Sequence, residues 1–379
     1  MDPWLWLEWF IKASVMLLVL LTGFAYLTWY ERRALARIQS RVGPNRAGPF
    51  GLLQPIADAV KLIFKEELTP SAADKILFIA APIMTVVPAM MLAAVIPLGT
   101  EFTLPFTERV ITLHVADINV GVLYLAAIAS ISVYGIVLAG WASNNKYAML
   151  GGMRSTAQMI SYELALGMCF VVAILLADSM SLTEIVDAQK EMWFAVLQPV
   201  GALVFMVTTL AEVNRAPFDM PEAEQELAAG YHSEYSGMKF ALFFMAEYEK
   251  MIVISMIAAT LYFGGYREFW FLKDTFLSVD RTWWLGPIYL LAKVVVLLFF
   301  MIWIRATWPR IRYDRLMSFG WKVLLPLSIA VVIVTALGIL LAETYGGALI
   351  WSIPVLSMAA GMVTAFVLGR ALTRRAVHA

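Results

Sequence analysis

The chain has 379 residues, of which 61% are hydrophobic and 15% are charged, against about 25% charged in a typical soluble domain. With a mean hydropathy of +0.77, so much apolar surface cannot be hidden inside a water-soluble globule of this size. The 28 basic and 28 acidic side chains cancel, and such a neutral, apolar chain is unlike a disordered protein or a nucleic-acid binder. A single cysteine excludes a disulfide framework and any iron–sulfur cluster held by this chain alone. The composition predicts a polytopic membrane protein.

Nine apolar segments of the sequence are near the length of about 20 residues that crosses a bilayer as a helix. In chain order they are residues 9–30, 76–97, 118–141, 157–177, 193–213, 238–263, 286–304, 323–342 and 348–369. We therefore predict an all-α polytopic membrane protein with about nine transmembrane helices, which form a single membrane domain over residues 1–379. Its predicted cytoplasmic loops are residues 31–75, 142–156, 214–237 and 305–322.

Lysine and arginine are distributed unevenly between the two sets of loops. The odd-numbered loops and the C-terminal tail carry 20 of them, whereas the N-terminus and the even-numbered loops carry six. The positive-inside rule then predicts that the N-terminus lies outside the cell and the C-terminus in the cytoplasm.

The first predicted cytoplasmic loop is rich in arginine and contains two Gly/Pro turns. Its arginines up to residue 49 are Arg32, Arg33, Arg37, Arg41 and Arg46. The positive-inside rule, by which cytoplasmic loops are enriched in lysine and arginine, would by itself explain any one of these arginines.

Residues 50–65 of the same loop place apolar side chains at helical spacing and Asp58 and Lys61 on the opposite face,. At 1.5 Å per residue this segment is too short to cross a bilayer. The pattern therefore predicts an interfacial amphipathic helix after the first span. Such a helix is either a simple strut on the membrane surface or one wall of an opening for a lipid-soluble ligand.

Several carboxylates lie within predicted spans, where a charged side chain costs about 2.5–3.5 kcal/mol on insertion scales. Glu163 lies in the fourth span, Glu212 at the cytoplasmic end of the fifth, and Glu247 in the sixth. Lys250 follows Glu247 at i+3, so an ion pair within the helix is one explanation for Glu247. Glu163 has no basic partner on its own helix, which favours a role in the interior of the bundle.

The third predicted cytoplasmic loop gathers acidic residues near a single arginine, Arg215. These acidic residues are Asp219, Glu222, Glu224, Glu226 and Glu234. Neighbouring carboxylates disfavour each other's ionisation, so a row of them can store and pass protons. The alternative is an acidic loop that is simply exposed to solvent. The proline and aromatic residues at 217–221 argue against it, because they are suited to packing against other residues.

Five ordered motifs accompany these features: Glu31-Arg32-Arg33, Arg41 to Lys61, Ser161-Tyr162-Glu163, Glu212 to Leu227, and Arg310 to Met317. Together they resemble the H-type membrane subunits of NADH-quinone oxidoreductase, respiratory complex I. The resemblance extends from about residue 25 to about residue 370, with minor departures such as Arg33 and Val213. The sequence contains no glycine-rich dinucleotide fingerprint and no phosphate-binding loop, so NADH is expected to bind to another subunit.

The resemblance implies a non-redox subunit of a proton-translocating NADH-quinone oxidoreductase that forms much of the quinone chamber and couples quinone reduction to proton transport. For quinone binding it implies Arg32, Arg41, Arg46, Asp58 and Arg215. For a proton relay it implies Glu163, Glu212, Glu222, Glu224, Glu226, Glu234 and Glu247. It implies no metal site in this chain.

The resemblance also implies the surroundings of the chain. Quinone is expected as the substrate, no cofactor is expected to be bound by this chain alone, and FMN and iron–sulfur clusters are expected in partner subunits. The expected partners are the peripheral-arm subunits of the quinone module, adjacent small membrane subunits and the lipid bilayer, without nucleic acid. The expected location is the inner (plasma) membrane of the cell.

Three alternatives remain open at this point. The nearest is the equivalent subunit of a ferredoxin- or F420-linked dehydrogenase or of a membrane-bound hydrogenase, and the complete match of the first loop favours a quinone enzyme over it. A free-standing ion transporter could use the same glutamates, although the paired broken helices or paired halves of many transporters are not found in the sequence. A purely structural anchor leaves the intramembrane carboxylates unexplained.

Overall fold

The computed structural model describes residues 3–103, 110–219, 229–269, 272–273, 275, 278–279 and 281–377. Within them the regular structure is helical, apart from two short antiparallel strands, β1 (Phe102–Thr103) and β2 (Val110–Ile111). The prediction of an all-α membrane protein is therefore confirmed.

Thirteen α-helices lie in the described part of the chain. They are α1 (Pro3–Ile38), α2 (Gln54–Ile63), α3 (Lys75–Leu92), α4 (Gly121–Ala142), α5 (Lys146–Ala177), α6 (Leu182–Ala188), α7 (Phe194–Leu197), α8 (Pro199–Glu212), α9 (Gly237–Tyr262), α10 (Leu285–Thr307), α11 (Tyr313–Phe319), α12 (Leu325–Tyr345) and α13 (Ser352–Val377). A π-helical turn, Gly320–Leu324, joins α11 to α12.

Six helical segments of the described residues are long and apolar enough to cross a membrane. They are Trp4–Ile38, Lys75–Val95, Gly121–Ala142, Lys146–Ala177, Leu285–Thr307 and Tyr313–Tyr345. The predicted number of nine spans is thus not confirmed.

The three other predicted spans differ from these six for physical reasons. The segment 193–213 is divided into α7 and α8 at Pro199, because proline lacks an N–H and restricts the residue before it. Helix α9 covers the segment 238–263 but carries four charged residues. The last segment coincides with a shorter apolar stretch, Leu349–Thr364.

The short amphipathic helix predicted after the first span is present as α2. Its apolar side chains Ile56, Val60 and Ile63 are exposed on the surface of the chain, as expected for a helix whose apolar face lies against lipid. The helix begins just after a turn in which Phe50 has a left-handed φ of 55°.

Side-chain caps and small residues fix the helices that carry the candidate site. Asp74 caps α3 by accepting hydrogen bonds from the N–H groups of Ile76 and Leu77, and Asn145 caps α5 through the N–H of Tyr147,. Helices α3 and α4 approach closely at Gly135, where a Cβ atom would lie 2.6 Å from Cγ2 of Thr85. This close packing places α4 between α3 and α5.

Candidate functional site

The segment that follows α8 is held against α5 by buried amide groups. Gln158 on α5 is fully buried, and its Nε2 lies 3.1 Å from Oδ1 of Asn214 and 2.9 Å from the carbonyl oxygen of Phe218. Asn214 adopts a left-handed φ of 56°, which asparagine tolerates better than most residues, and its Nδ2 donates to Oγ of Ser155 at 3.0 Å. These contacts fix the position of the neighbouring Arg215.

Arg215 is buried between two carboxylates that come from other parts of the chain. Its Nε lies 2.5 Å from Oε1 of Glu247 on α9, and its NH1 lies 3.4 Å from Oε1 of Glu31 on α1. The guanidinium carbon lies 4.4 Å from the centre of the Tyr248 ring. Arg305 on α10 also pairs with Glu31. We call Glu31, Arg215, Glu247 and Arg305 the Arg215 cluster.

A small cavity lined by both polar and apolar side chains lies beside the Arg215 cluster. It has a volume of about 20 Å³, and its lining includes Glu212, Glu247, Lys250, Asn214 and Thr85. A volume of this size holds about one water molecule where polar partners are available. Oε2 of Glu212 is buried and has no hydrogen-bond partner in the described structure. A water molecule in the cavity would be able to donate a hydrogen bond to this atom.

Lys250 lines this cavity and carries a positive charge close to several carboxylates. It lies near enough to Glu212, Glu163 and Glu247 for their charges to interact. The ion pair of Glu247 is made with Arg215, so the i+3 spacing did not identify its main partner. Glu163 on α5 forms a hydrogen bond with Ser130 on α4 and is half-buried in this chain.

The acidic loop is described only in part. Glu222, Glu224 and Glu226 lie outside the described residues. Glu234 accepts a hydrogen bond from Nδ2 of Asn145 at 2.6 Å, which joins the loop to the start of α5. Burial raises the pKa of Asp219 above its usual value, and Arg310, whose NH2 lies 3.0 Å from Oδ2, partly offsets this rise.

The arginines predicted to bind quinone occupy two different environments. Arg215 is buried, and Arg32 at the end of α1 forms a 2.6 Å ion pair with Asp58 on α2. Arg41 and Arg46 are exposed on the loop between these helices, where Arg41 donates to Oε1 of Gln39 at 2.7 Å. The structure thus brings Arg32 and Asp58 together and leaves Arg41 and Arg46 on the surface.

A long apolar cavity lies between α1, α9 and α10. Its volume is about 930 Å³, and along α1 its lining extends from Trp4 to Tyr30. On the opposite wall it is lined by Ile252 and Met256 of α9 and by α10 residues such as Leu291. We call this cavity the α1 groove.

Three residues of the site were not among the predicted site residues: Glu31, Arg305 and Ser130. Glu31 is 2% exposed, but the predicted first span ended at residue 30, whereas α1 continues to Ile38. An acid within an apolar helix is costly without a partner, so a longer predicted span would have pointed to Glu31. Arg305 and Ser130 gave no local signal, since their partners are far away in sequence. Within the described ranges, no group of three or more His, Cys, Asp and Glu side chains could hold a metal ion.

Comparison with known proteins identifies close relatives over most of the chain. The family model described as NADH dehydrogenase matches residues 11–336. The H subunit of the NADH-quinone oxidoreductase of Thermomicrobium roseum is 50% identical over 330 residues, which cover 84% of this chain and 92% of that protein. An H subunit of the NADH-quinone oxidoreductase of Geobacter metallireducens is 49% identical over 324 residues, covering 86% and 94% respectively.

A third relative agrees with these two. An H subunit of the NADH-quinone oxidoreductase of Syntrophobacter fumaroxidans is 48% identical over 334 residues, covering 87% of this chain and 95% of that protein. Similarity at this level over nearly the full length of each protein confirms the family that the loop motifs resemble. The chain belongs to the NADH dehydrogenase family of membrane proteins, among the H subunits of NADH-quinone oxidoreductase.

Proposed function

We propose that this chain forms much of the quinone chamber of a proton-pumping NADH-quinone oxidoreductase and couples quinone reduction to proton translocation. One observation supports the proposal: charged groups of several helices lie near one another, in the ion pairs of the Arg215 cluster, at the cavity lined by Glu212 and Lys250, and at Glu163, whose charge interacts with both. Buried charges inside a membrane protein are costly, and a row of them at several helices indicates a pathway for charge.

The α1 groove supports the quinone part of the proposal. Its lining is almost entirely apolar, which suits the isoprenoid tail of a quinone. At one end it reaches Trp29 and Tyr30, next to Glu31 and to the Arg32–Asp58 ion pair. In this proposal α1 and α2 frame the entrance, and the polar head of the quinone approaches Arg215, with Arg41 and Arg46 on the exposed loop outside.

The proposed coupling begins at Arg215. A neighbouring subunit would supply the electrons, and a reduced quinone near Arg215 would carry negative charge until it is protonated. That charge competes with Glu247 and Glu31 for Arg215. A carboxylate that loses its cationic partner holds its negative charge less well and takes up a proton. The change then passes to Glu212, Lys250 and Glu163 through their mutual electrostatic interactions.

The rest of the proposal concerns the assembly. The acidic loop, with Glu222, Glu224, Glu226 and Glu234, would connect the chamber to the membrane axis. FMN and the iron–sulfur clusters would belong to the peripheral arm, adjacent small membrane subunits would flank this chain, and no cofactor would be bound by this chain alone. The chain would lie in the plasma membrane as one domain, with its N-terminus outside and its C-terminus in the cytoplasm.

The test uses Glu212→Gln in the assembled complex, reconstituted in vesicles. Glutamine keeps the size of the side chain but cannot ionise, so we expect quinone reductase activity and proton pumping to fall together by at least tenfold. Reduction of an artificial acceptor by the peripheral arm should stay at the wild-type rate, because it does not require the membrane relay. Glu184→Gln on the exposed face of α6 is the matched control. Wild-type quinone reduction and pumping in Glu212→Gln would exclude this residue from the relay.

A further inference from the structure

Ser130 is placed so that its single hydroxyl hydrogen has two acceptors. Its Oγ lies 3.0 Å from the carbonyl oxygen of Ala126, one turn earlier on α4. The same Oγ is in hydrogen-bond contact with Oε1 of Glu163 on the facing helix α5. A serine hydroxyl has one hydrogen to donate and two lone pairs that accept, so Ser130 donates only one of these two bonds at a time.

The two contacts match the two protonation states of Glu163. An ionised carboxylate only accepts hydrogen bonds, so Ser130 then donates to its Oε1. A protonated carboxyl has its own O–H, which donates to Oγ of Ser130 while the serine hydrogen turns to the carbonyl oxygen of Ala126. Rotation about the Cβ–Oγ bond is therefore sufficient to keep the groups hydrogen-bonded in both states.

The other ionisable groups near Glu163 act on it through charge. Glu212 on α8 and Lys250 on α9 both interact electrostatically with Glu163. The charges of Glu212 and Lys250 change the relative stability of the ionised and protonated forms of Glu163. Ser130, in contrast, contacts the Glu163 carboxyl directly. Ser130 is therefore a hydrogen-bond partner that can serve both forms of the Glu163 carboxyl without moving its backbone.

We propose that Ser130 is a positioning residue for Glu163, a hydroxyl rotor that stabilises both the ionised and the protonated carboxyl as a proton arrives and leaves. The inference rests on the proposed relay function of Glu163. It adds the group that allows Glu163 to take up and release a proton reversibly.

The test compares Ser130→Ala, Ser130→Thr, Ser132→Ala and Glu163→Gln in the assembled complex, by the pH dependence of proton pumping in vesicles. Ser130→Ala removes the hydrogen bond in both protonation states, and the bond to the ionised carboxylate is the stronger of the two because its acceptor is charged. The part of the profile that requires ionised Glu163 should therefore move to higher pH by about one unit. Ser130→Thr keeps a hydroxyl that can reach the i−4 carbonyl and should restore the wild-type profile.

Ser132→Ala is the matched control. Ser132 is a buried serine two residues further along α4, and it donates to the carbonyl oxygen of Ala129 at 2.7 Å. This variant should keep the wild-type profile, whereas Glu163→Gln should lose pumping.

The outcomes separate the two proposals. Suppose that Glu163→Gln abolishes pumping and that Ser130→Ala has a wild-type pH profile. This result would overturn the role of Ser130 and leave the relay intact. Equal shifts in Ser130→Ala and Ser132→Ala would also overturn it, because they would reflect a packing change in α4. Normal pumping by Glu163→Gln would remove Glu163 from the relay, and the role of Ser130 would fall with it.

Discussion

Arg215 combines three interactions in a space that is largely closed to solvent. It faces Glu247 and Glu31 on different sides, and its planar group lies over the ring of Tyr248. A guanidinium can make all three contacts at once because it is planar and carries five donors in a fixed arrangement. With Arg305 added, two positive and two negative charges balance in the Arg215 cluster.

Replacing Arg215 with lysine tests this reading, because lysine keeps the charge but loses the planar, multi-donor geometry. We expect Arg215→Lys to lower quinone reductase activity by at least tenfold, since removing a partner from a buried ion pair typically costs about 3–5 kcal/mol and lysine restores only part of it. Steady-state kinetics of the assembled complex measure the effect. Arg312→Lys, at a side chain that is 79% exposed and pairs with Asp314, should match the wild type. Full activity in Arg215→Lys would show that charge alone is sufficient.

For single residues, the sequence predicts which ones are unusual more readily than it predicts which residues they pair with. The sequence identifies Glu163, Glu212, Glu247 and Arg215 as unusual because an ionisable group in a span is costly wherever it pairs. It cannot identify the partners, since Glu31 and Arg305 are separated by 274 residues. The local rule pointed to Lys250 for Glu247, and the tertiary fold supplied Arg215 instead.

Helix boundaries are determined by local chemistry, and the start of α3 is a clear case. Asp74 accepts hydrogen bonds from two N–H groups of the first turn, at 3.1 Å from Ile76 and 3.3 Å from Leu77. Such a cap is worth about 0.5–2 kcal/mol. It holds the beginning of the helix that packs against α4 and thus against the partner of Glu163.

Asp74→Ala should therefore increase fraying of the first turn of α3. We expect the amides of Ile76 and Leu77 to exchange with deuterium about fivefold faster, which corresponds to a loss of about 1 kcal/mol. Asp74→Asn is the control, because asparagine caps helices about as well as aspartate. Hydrogen exchange followed by mass spectrometry resolves this segment, and unchanged exchange in Asp74→Ala would mean that tertiary packing alone holds the turn.

Among the elements, periodicity predicted α2 well and predicted the transmembrane helices less completely. Helix α2 was identifiable because its apolar residues recur at helical spacing over a short, isolated segment. The segment 193–213 has the composition of one span, but Pro199 divides it, and hydropathy alone does not register a break in hydrogen bonding. The break between α7 and α8 was therefore identified only in the tertiary structure.

The net charge of zero hides two opposed regions of the whole molecule. Residues 31–65 carry seven basic and two acidic side chains, and residues 212–249 carry two basic and eight acidic ones. Glu31 and Arg215 belong to these two regions and meet in the Arg215 cluster. The proposed quinone reaction lies where the two regions come together.

Narrowing the α1 groove should discriminate between quinones by their tails. Gly23 lines the groove, and a Cβ atom there would lie 3.2 Å from Cδ1 of Ile252, so Gly23→Leu projects a side chain into the passage. We expect the KM for a long-tailed quinone to rise several-fold and the KM for a short-tailed analogue to stay near the wild-type value. Leu18→Phe, at a residue of α1 that is 64% exposed, should change neither. Equal KM changes for both quinones would exclude the groove as the path of the tail.

Helix α1 is packed more tightly over its second half than over its first, where Lys12 donates a hydrogen bond to Oγ1 of Thr112 at 3.0 Å. Its buried residues, among those the structure describes, lie between Leu20 and Ala36, where Glu31 and Arg32 tie it to other elements. The opposite end stands across the α1 groove. At 1.5 Å per residue the part of α1 that precedes Leu20 is about 26 Å long, so a tilt of about 5° at Leu20 displaces the start of the helix by about 2 Å. A tilt of α1 would therefore change the width of the α1 groove most at the end that Trp4 lines.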